Sequence, residues 1–104
     1  MPKFELMVVD YESLSSTDTA VGLNSDKVAD LIAEYPIVGA IITVEGNSIR
    51  YRLDGTDPTA SEGHLADVGD VIELYSRGNL QNFKFISTDA ATTAVIKVSY
   101  LGGW

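Results

Sequence analysis

The chain has 104 residues, 45% of them apolar, with 15 acidic against 7 basic side chains, no cysteine, and a formal net charge of −8. That length holds one hydrophobic core, so a single domain spanning residues 1–104 is expected; the charge opposes the counterion release on which nucleic-acid binding depends, so nucleic acid is not an expected partner. The lack of thiols removes disulfides, thiolate metal sites and cysteine nucleophiles and fits synthesis in a reducing cytoplasm, while the start MPKFELMVVD has no secretory-signal pattern and no apolar run reaches the length of a membrane span.

Residues 3–9 alternate Phe4, Leu6 and Val8 with Lys3, Glu5 and Met7, the period of two of a half-buried strand. Residues 11–19 are dense in Ser, Thr and Asp, whose side chains compete for backbone hydrogen bonds, and this predicts a loop. A short strand is expected at 20–23. One helix is predicted over 26–35, with Ser25 or Asp26 as N-cap, an apolar stripe of Val28, Ala29, Leu31 and Ile32, and Pro36 as its stop.

Residues 38–45 (VGAIITVE) form the most apolar run, and the alternating strand at 48–53 follows directly after Gly46-Asn47. Two strand patterns around a Gly-Asn pair predict a hairpin, because both residues tolerate the positive φ of primed turns. A long loop is expected at 54–70, then a strand at 71–75, a turn at 76–79, a strand at 80–87 with Phe83 and Phe85 on one face, a turn at 88–92 and a closing strand at 93–101. About seven short strands and one minor helix predict an all-β fold, an antiparallel β-sandwich of jelly-roll or Ig/FN3-like type, with a small barrel as the alternative. Without helical crossovers between the later strands, a parallel βαβ fold is disfavoured.

Candidate chemistry concentrates at the long loop. His64 is the only histidine and no nucleophile elbow surrounds it, which favours a backbone-determined position with the imidazole bonded to a nearby carbonyl or carboxylate. Asp54, Asp57, Glu62, Asp67 and Asp70 make the loop oxygen-rich; Asp54, Asp57 and Asp70 are calcium candidates, although their spacing is not that of an EF-hand and turn formation explains them as well. No catalytic residue and no cofactor is indicated. Arg50, Arg52, Lys84 and Lys97 fall opposite the apolar strand positions, so the four are expected on one outer sheet face, either as a docking surface or as a solvated face paired with Glu45 and Glu73. Trp104, the one tryptophan, either packs back on its own sheet or anchors a neighbouring subunit.

The segment IRYRLDGTDPTAS (49–61) resembles chitobiase C-terminal-like and fibronectin-III-associated modules, in which a strand runs into a D-G-[ST]-x-P-[ST] turn; the resemblance implies a sandwich and no activity. A broader one rests on Ala20-Val21-Gly22-Leu23, on 42–70, on 80–86 and on Ile96-Lys97-Val98-Ser99-Tyr100. These look like small structural proteins of tailed bacteriophages, a group that includes β-sandwich head decoration and cement proteins; the helix at 26–34 departs from that pattern. The resemblance implies a non-enzymatic virion protein made in the host cytoplasm and carried on the capsid surface. Its partner would be the major capsid protein, and a homo-oligomer, a trimer before other forms, is expected. A carbohydrate-binding module stacking Tyr51, Tyr75 or Tyr100 on sugar rings is one alternative, and a tail or head-tail connector subunit is another.

Overall fold

The computed structural model describes residues 6–28 and 36–103. Eight strands occur in the order β1 (Leu6–Ser16), β2 (Val21–Gly22), β3 (Ile37–Glu45), β4 (Ile49–Arg52), β5 (His64–Ala66), β6 (Val71–Leu74), β7 (Lys84–Ser87) and β8 (Ala94–Gly103), with short helices α1 (Ser25–Val28) and α2 (Arg77–Asn82). They form two four-stranded sheets, sheet A ordered β1-β8-β3-β6 and sheet B ordered β2-β7-β4-β5. All pairings are antiparallel.

The pairs β1·β8, β2·β7, β3·β6 and β4·β5 are those of one chain-length hairpin rolled into a sandwich, and this defines a jelly roll. The tip of that hairpin is the segment between Arg52 and His64. The expected all-β sandwich is therefore present, and strand order selects the jelly roll over the Ig-like alternative.

The core lies between the sheets. From sheet A it takes Ala94, Ile96, Val98 and Tyr100 of β8 and Ala40, Ile42 and Val44 of β3; from the other side come Ile49, Phe83, Phe85 and Leu80, all buried. Each fully buried aliphatic side chain contributes about 1.5–3 kcal/mol.

Four local expectations are corrected. β1 continues to Ser16, through the segment expected to be a loop. The period of two persists there with inverted polarity: Tyr11, Ser13 and Ser15 are exposed while Glu12 and Leu14 turn inward, and the Tyr100 hydroxyl and the Asn24 N–H both donate to the Glu12 carboxylate. The inward carboxylate is tolerated because these two donors, one on the buried face of the neighbouring β8 and one just after β2, satisfy it.

The predicted hairpin at Gly46-Asn47 does not form. β3 pairs with β6 and β8, whereas β4 pairs with β5 and β7, so the turn carries the chain from one sheet to the other. Asn47 Nδ2 fastens this arch by donating to Ser87 Oγ at 2.9 Å and Thr88 Oγ1 at 3.1 Å on β7 and just beyond it.

Residues 76–82, expected as turn and strand, hold α2. Ser76 Oγ accepts from the Asn79 N–H at 3.1 Å as N-cap, and Leu80 enters the core. Ser76→Ala is expected to cost about 1 kcal/mol. Gly78→Ala, with open space at the added Cβ, is expected to gain about 0.5 kcal/mol, both read from chemical denaturation midpoints.

Finally, the predicted 54–70 loop contains β5, leaving an irregular segment of 53–63. Of the predicted helix, Ser25–Val28 is helical and residues 29–35 lie outside the described residues; its cap is Asn24, whose Oδ1 accepts from the Asp26 N–H at 3.0 Å.

Candidate functional site

The tip segment 53–63 folds back on the outer face of sheet B. Buried Pro58 and β4 both close on Gly63: a Cβ added there would lie 3.3 Å from both Pro58 Cβ and Arg50 Cβ and 3.0 Å from the Tyr51 carbonyl oxygen, so a residue without a side chain, held at φ +137°, permits the approach. A tight turn closes the far end, with reciprocal bonds between the N–H and C=O groups of Thr59 and Glu62.

The basic positions and the loop carboxylates, read separately in the sequence, are partners. Arg52 donates through Nε to Asp54 Oδ1 at 3.1 Å and through Nη2 to Asp54 Oδ2 at 2.5 Å, and Lys84 Nζ reaches Asp57 Oδ1 at 2.9 Å. The Arg52 guanidinium and then the Thr56 N–H hold the Asp54 carboxyl below the usual carboxylate range. Arg50 Nη1 donates to the Gly63 carbonyl at 3.2 Å, while its Nε is enclosed with no acceptor among the described residues. Arg50, Arg52 and Lys84 share the outer face of sheet B, Lys84 directly across from Arg52. Lys97 does not join them: it lies on β8, in sheet A. The expected four-residue basic face is thus divided between the two sheets, and three of its members serve to fasten the tip. Trp104 lies outside the described residues.

The calcium candidates do not converge. Asp54 and Asp57 are each occupied by a cation, and Asp70 closes the 67–70 turn, its Oδ2 accepting from the Asp67 N–H at 2.8 Å. Among the described residues no three His, Asp or Glu side chains gather in a metal-binding arrangement.

His64 is exposed at the start of β5, across from Tyr51, with the two rings 5.4 Å apart; among the described residues its contact is aromatic rather than the expected carbonyl or carboxylate. Beside it is an open cleft of about 500 Å³ lined by Arg52, Leu53, Asp54, Glu62, Gly63 and His64. The lining offers an imidazole, two carboxylates and a guanidinium already engaged with one of them, and no hydroxyl or thiol. A second groove of about 450 Å³, between the 17–20 turn, the tip and the end of β7, is lined mainly by Thr, Asp, Ala and Pro. Of the tyrosines considered for sugar stacking, Tyr100 is completely buried, Tyr51 packs at 5.7 Å on Phe83, and only Tyr75 is largely exposed, at 59%.

A different surface stands out, the outer face of sheet A. Reading across β1, β8, β3 and β6, one row holds Ser13, Lys97, Thr43 and Val71, and the next holds Tyr11, Ser99, Ile41 and Glu73. Tyr75 extends the face beyond β6, against Gly39, and Val8 lies across from Leu101 at its other side. Val8, Tyr11, Ile41, Val71 and Tyr75 are exposed large apolar side chains. The charged groups on these strand positions are Lys97, Glu45 and Glu73.

This surface was not singled out in the sequence, yet signals for it exist. Val71 and Tyr75 occupy the alternate positions of a strand whose Ile72 and Leu74 fill the core, and Ile41 sits in a run apolar on both faces. A strand apolar at both parities has something to cover on each side.

Compared with protein-family models, curated proteins and solved structures, the chain matches none.

Proposed function

We propose that this chain is a non-enzymatic structural component of a bacteriophage virion, a decoration or cement protein that binds the major capsid protein and stabilises the head shell. The observation that carries the reading is the outer face of sheet A: a broad, sparsely charged β-surface with five exposed large apolar side chains. Soluble monomers rarely leave such a face uncovered, and a rigid jelly roll holds it without the ordering cost that a flexible segment would incur. The jelly roll is an architecture used by viral shells, which supports the reading by analogy of fold. On a shell, a modest contact repeated over many symmetry-related copies accumulates through multivalency, so no single strong pocket is required.

Mass spectrometry of purified particles of the encoding phage is expected to find the chain in hundreds of copies per head. A copy number of a dozen or fewer would move it to the tail or the head-tail connector, and absence from particles would end the virion reading. Tyr75 keeps the carbohydrate-binding reading in view, since its ring is open to solvent on a fold that lectins also use. A glycan array that registers binding by the wild type and loses it with Tyr75→Ala would favour that reading instead.

A further inference from the structure

We propose that the outer face of sheet A is a self-association surface, on which a second copy of the chain stacks face to face about a two-fold axis running along the strands between β8 and β3. The inference stands apart from the virion reading and competes with it for this face, because a second copy and the capsid protein cannot cover it together. It rests on the charges of this face and on where they sit.

Among the described residues, Lys27, Arg52 and Lys84 are ion-paired with Asp10, Asp54 and Asp57. Arg50 and Arg77 donate to backbone carbonyls. Lys97 differs: its Nζ donates to the Ser13 hydroxyl at 3.0 Å, and no carboxylate pairs with it among the described residues. On the same face Glu45, exposed at the end of β3 across from Val95, has no cationic partner among those residues. The proposed two-fold places β8 of one copy over β3 of the other. Lys97 then projects onto the second copy beside Thr43, within one residue pair along β3 of Glu45, and the symmetry repeats the contact.

The same operation sets β1 over β6, so that Tyr11 descends onto Glu73 of the second copy, flanked by Val71 and Tyr75, and the central Ile41 is covered by β8. The occupant that this face complements in both charge and apolar content is therefore the face itself. A net charge of −8 resists association in general. Lys97 against Glu45 and Glu73 leaves this face only one negative charge in excess, so the repulsion across it is small. Leu101 and Gly39, at the centre of the last row, are buried already, so four strands at about 4.8 Å spacing and three open rows at about 6.8 Å give about 400 Å² of planar surface per copy, or about 800 Å² in the pair, the size of a weak, reversible contact.

The test uses the full chain and sedimentation equilibrium. Wild type is expected to show a concentration-dependent monomer–dimer equilibrium. Lys97→Glu and Glu45→Lys each place like charges together twice in every dimer and are expected to weaken it about a hundredfold. An equimolar mixture of the two variants restores both contacts in a heterodimer and is expected to recover wild-type affinity, which a folding defect in either variant would not produce. Leu65→Glu, exposed on β5 of sheet B, is expected to leave the equilibrium unchanged. Monomeric wild type at millimolar concentration, a trimer, failure of the mixture to recover the dimer, or disruption by Leu65→Glu equal to that by Lys97→Glu would each overturn the proposal.

Discussion

Gly46→Ala is expected to destabilise the protein by about 3 kcal/mol and to lower its thermal midpoint by about 15 °C. Two causes add at this position. Gly46 is held at φ +79°, where a Cβ meets its own backbone, and the added Cβ would lie 2.7 Å from the Thr93 carbonyl oxygen at the entrance to β8. The carbonyl belongs to the backbone and has no rotamer to escape into, so the arch or the start of β8 must move. Gly69→Ala separates the two causes: it has φ +93° and nothing within 4 Å of the added Cβ, and its cost is expected to stay near 1 kcal/mol. Urea unfolding of both variants decides the matter. Equal losses would mean that the contact with the Thr93 carbonyl, at the entrance to the neighbouring strand of the same sheet, carries no cost.

The second large effect is an alkaline loss of stability that Tyr100→Phe removes. Tyr100 is completely buried, and its hydroxyl donates to Glu12; burial first, and the bond to that carboxylate second, hold its ionisation well above the usual tyrosine value. The folded state therefore keeps the phenolic proton at pH values where the unfolded chain, near its ordinary value of about 10, has released it. Its contribution is fully present below about pH 10 and falls as pH rises beyond that, with a slope approaching about 1.4 kcal/mol per pH unit. In Tyr100→Phe this slope should vanish, while at pH 7 the variant loses about 1.5–3 kcal/mol because the Glu12 carboxylate gives up a buried donor. Stability measured by urea denaturation from pH 7 to 11.5 reads both effects. An unchanged alkaline slope in the variant would place the responsible group elsewhere.

The same pair shows where sequence patterning stopped short. Tyr100 was legible as one of a period-two set with Ala94, Ile96 and Val98, because each inward position of β8 is apolar. Glu12 was not, because a carboxylate facing the core reads as an outward or loop residue until its donors are known, and both donors lie far along the chain, at Asn24 and Tyr100. β1 was consequently cut short at the point where its inward face turns polar. α2 was hidden for a related reason: Arg77–Asn82 is too short for an apolar stripe, and its N-cap serine reads equally well as a turn residue.

The candidate site was legible as residues but not as an arrangement. Arg50, Arg52 and Lys84 were identified as one basic group and Asp54 and Asp57 as one acidic group; that each group is the other's counterion depends on the tip folding back over sheet B. Lys97 has the same local pattern as Lys84, a half-buried position between buried ones, and nothing in that pattern tells which sheet a strand joins.

The sequence by itself determined that this protein is an antiparallel β-sandwich: the alternation of the later strands, the β-branched run at 37–45 and the punctuation by Gly, Asn, Asp and Pro act between near neighbours and are written in adjacent residues. Only the tertiary structure decided that the sandwich is a jelly roll, that Gly46-Asn47 crosses between sheets rather than turning a hairpin, and that the outer face of sheet A gathers exposed apolar side chains beside a Lys97 with no carboxylate partner among the described residues. These depend on pairings between strands as distant as β1 and β8, whose register is set by which side chains fill one shared core. A two-residue turn permits a hairpin and an arch alike, and the partner across the core chooses between them.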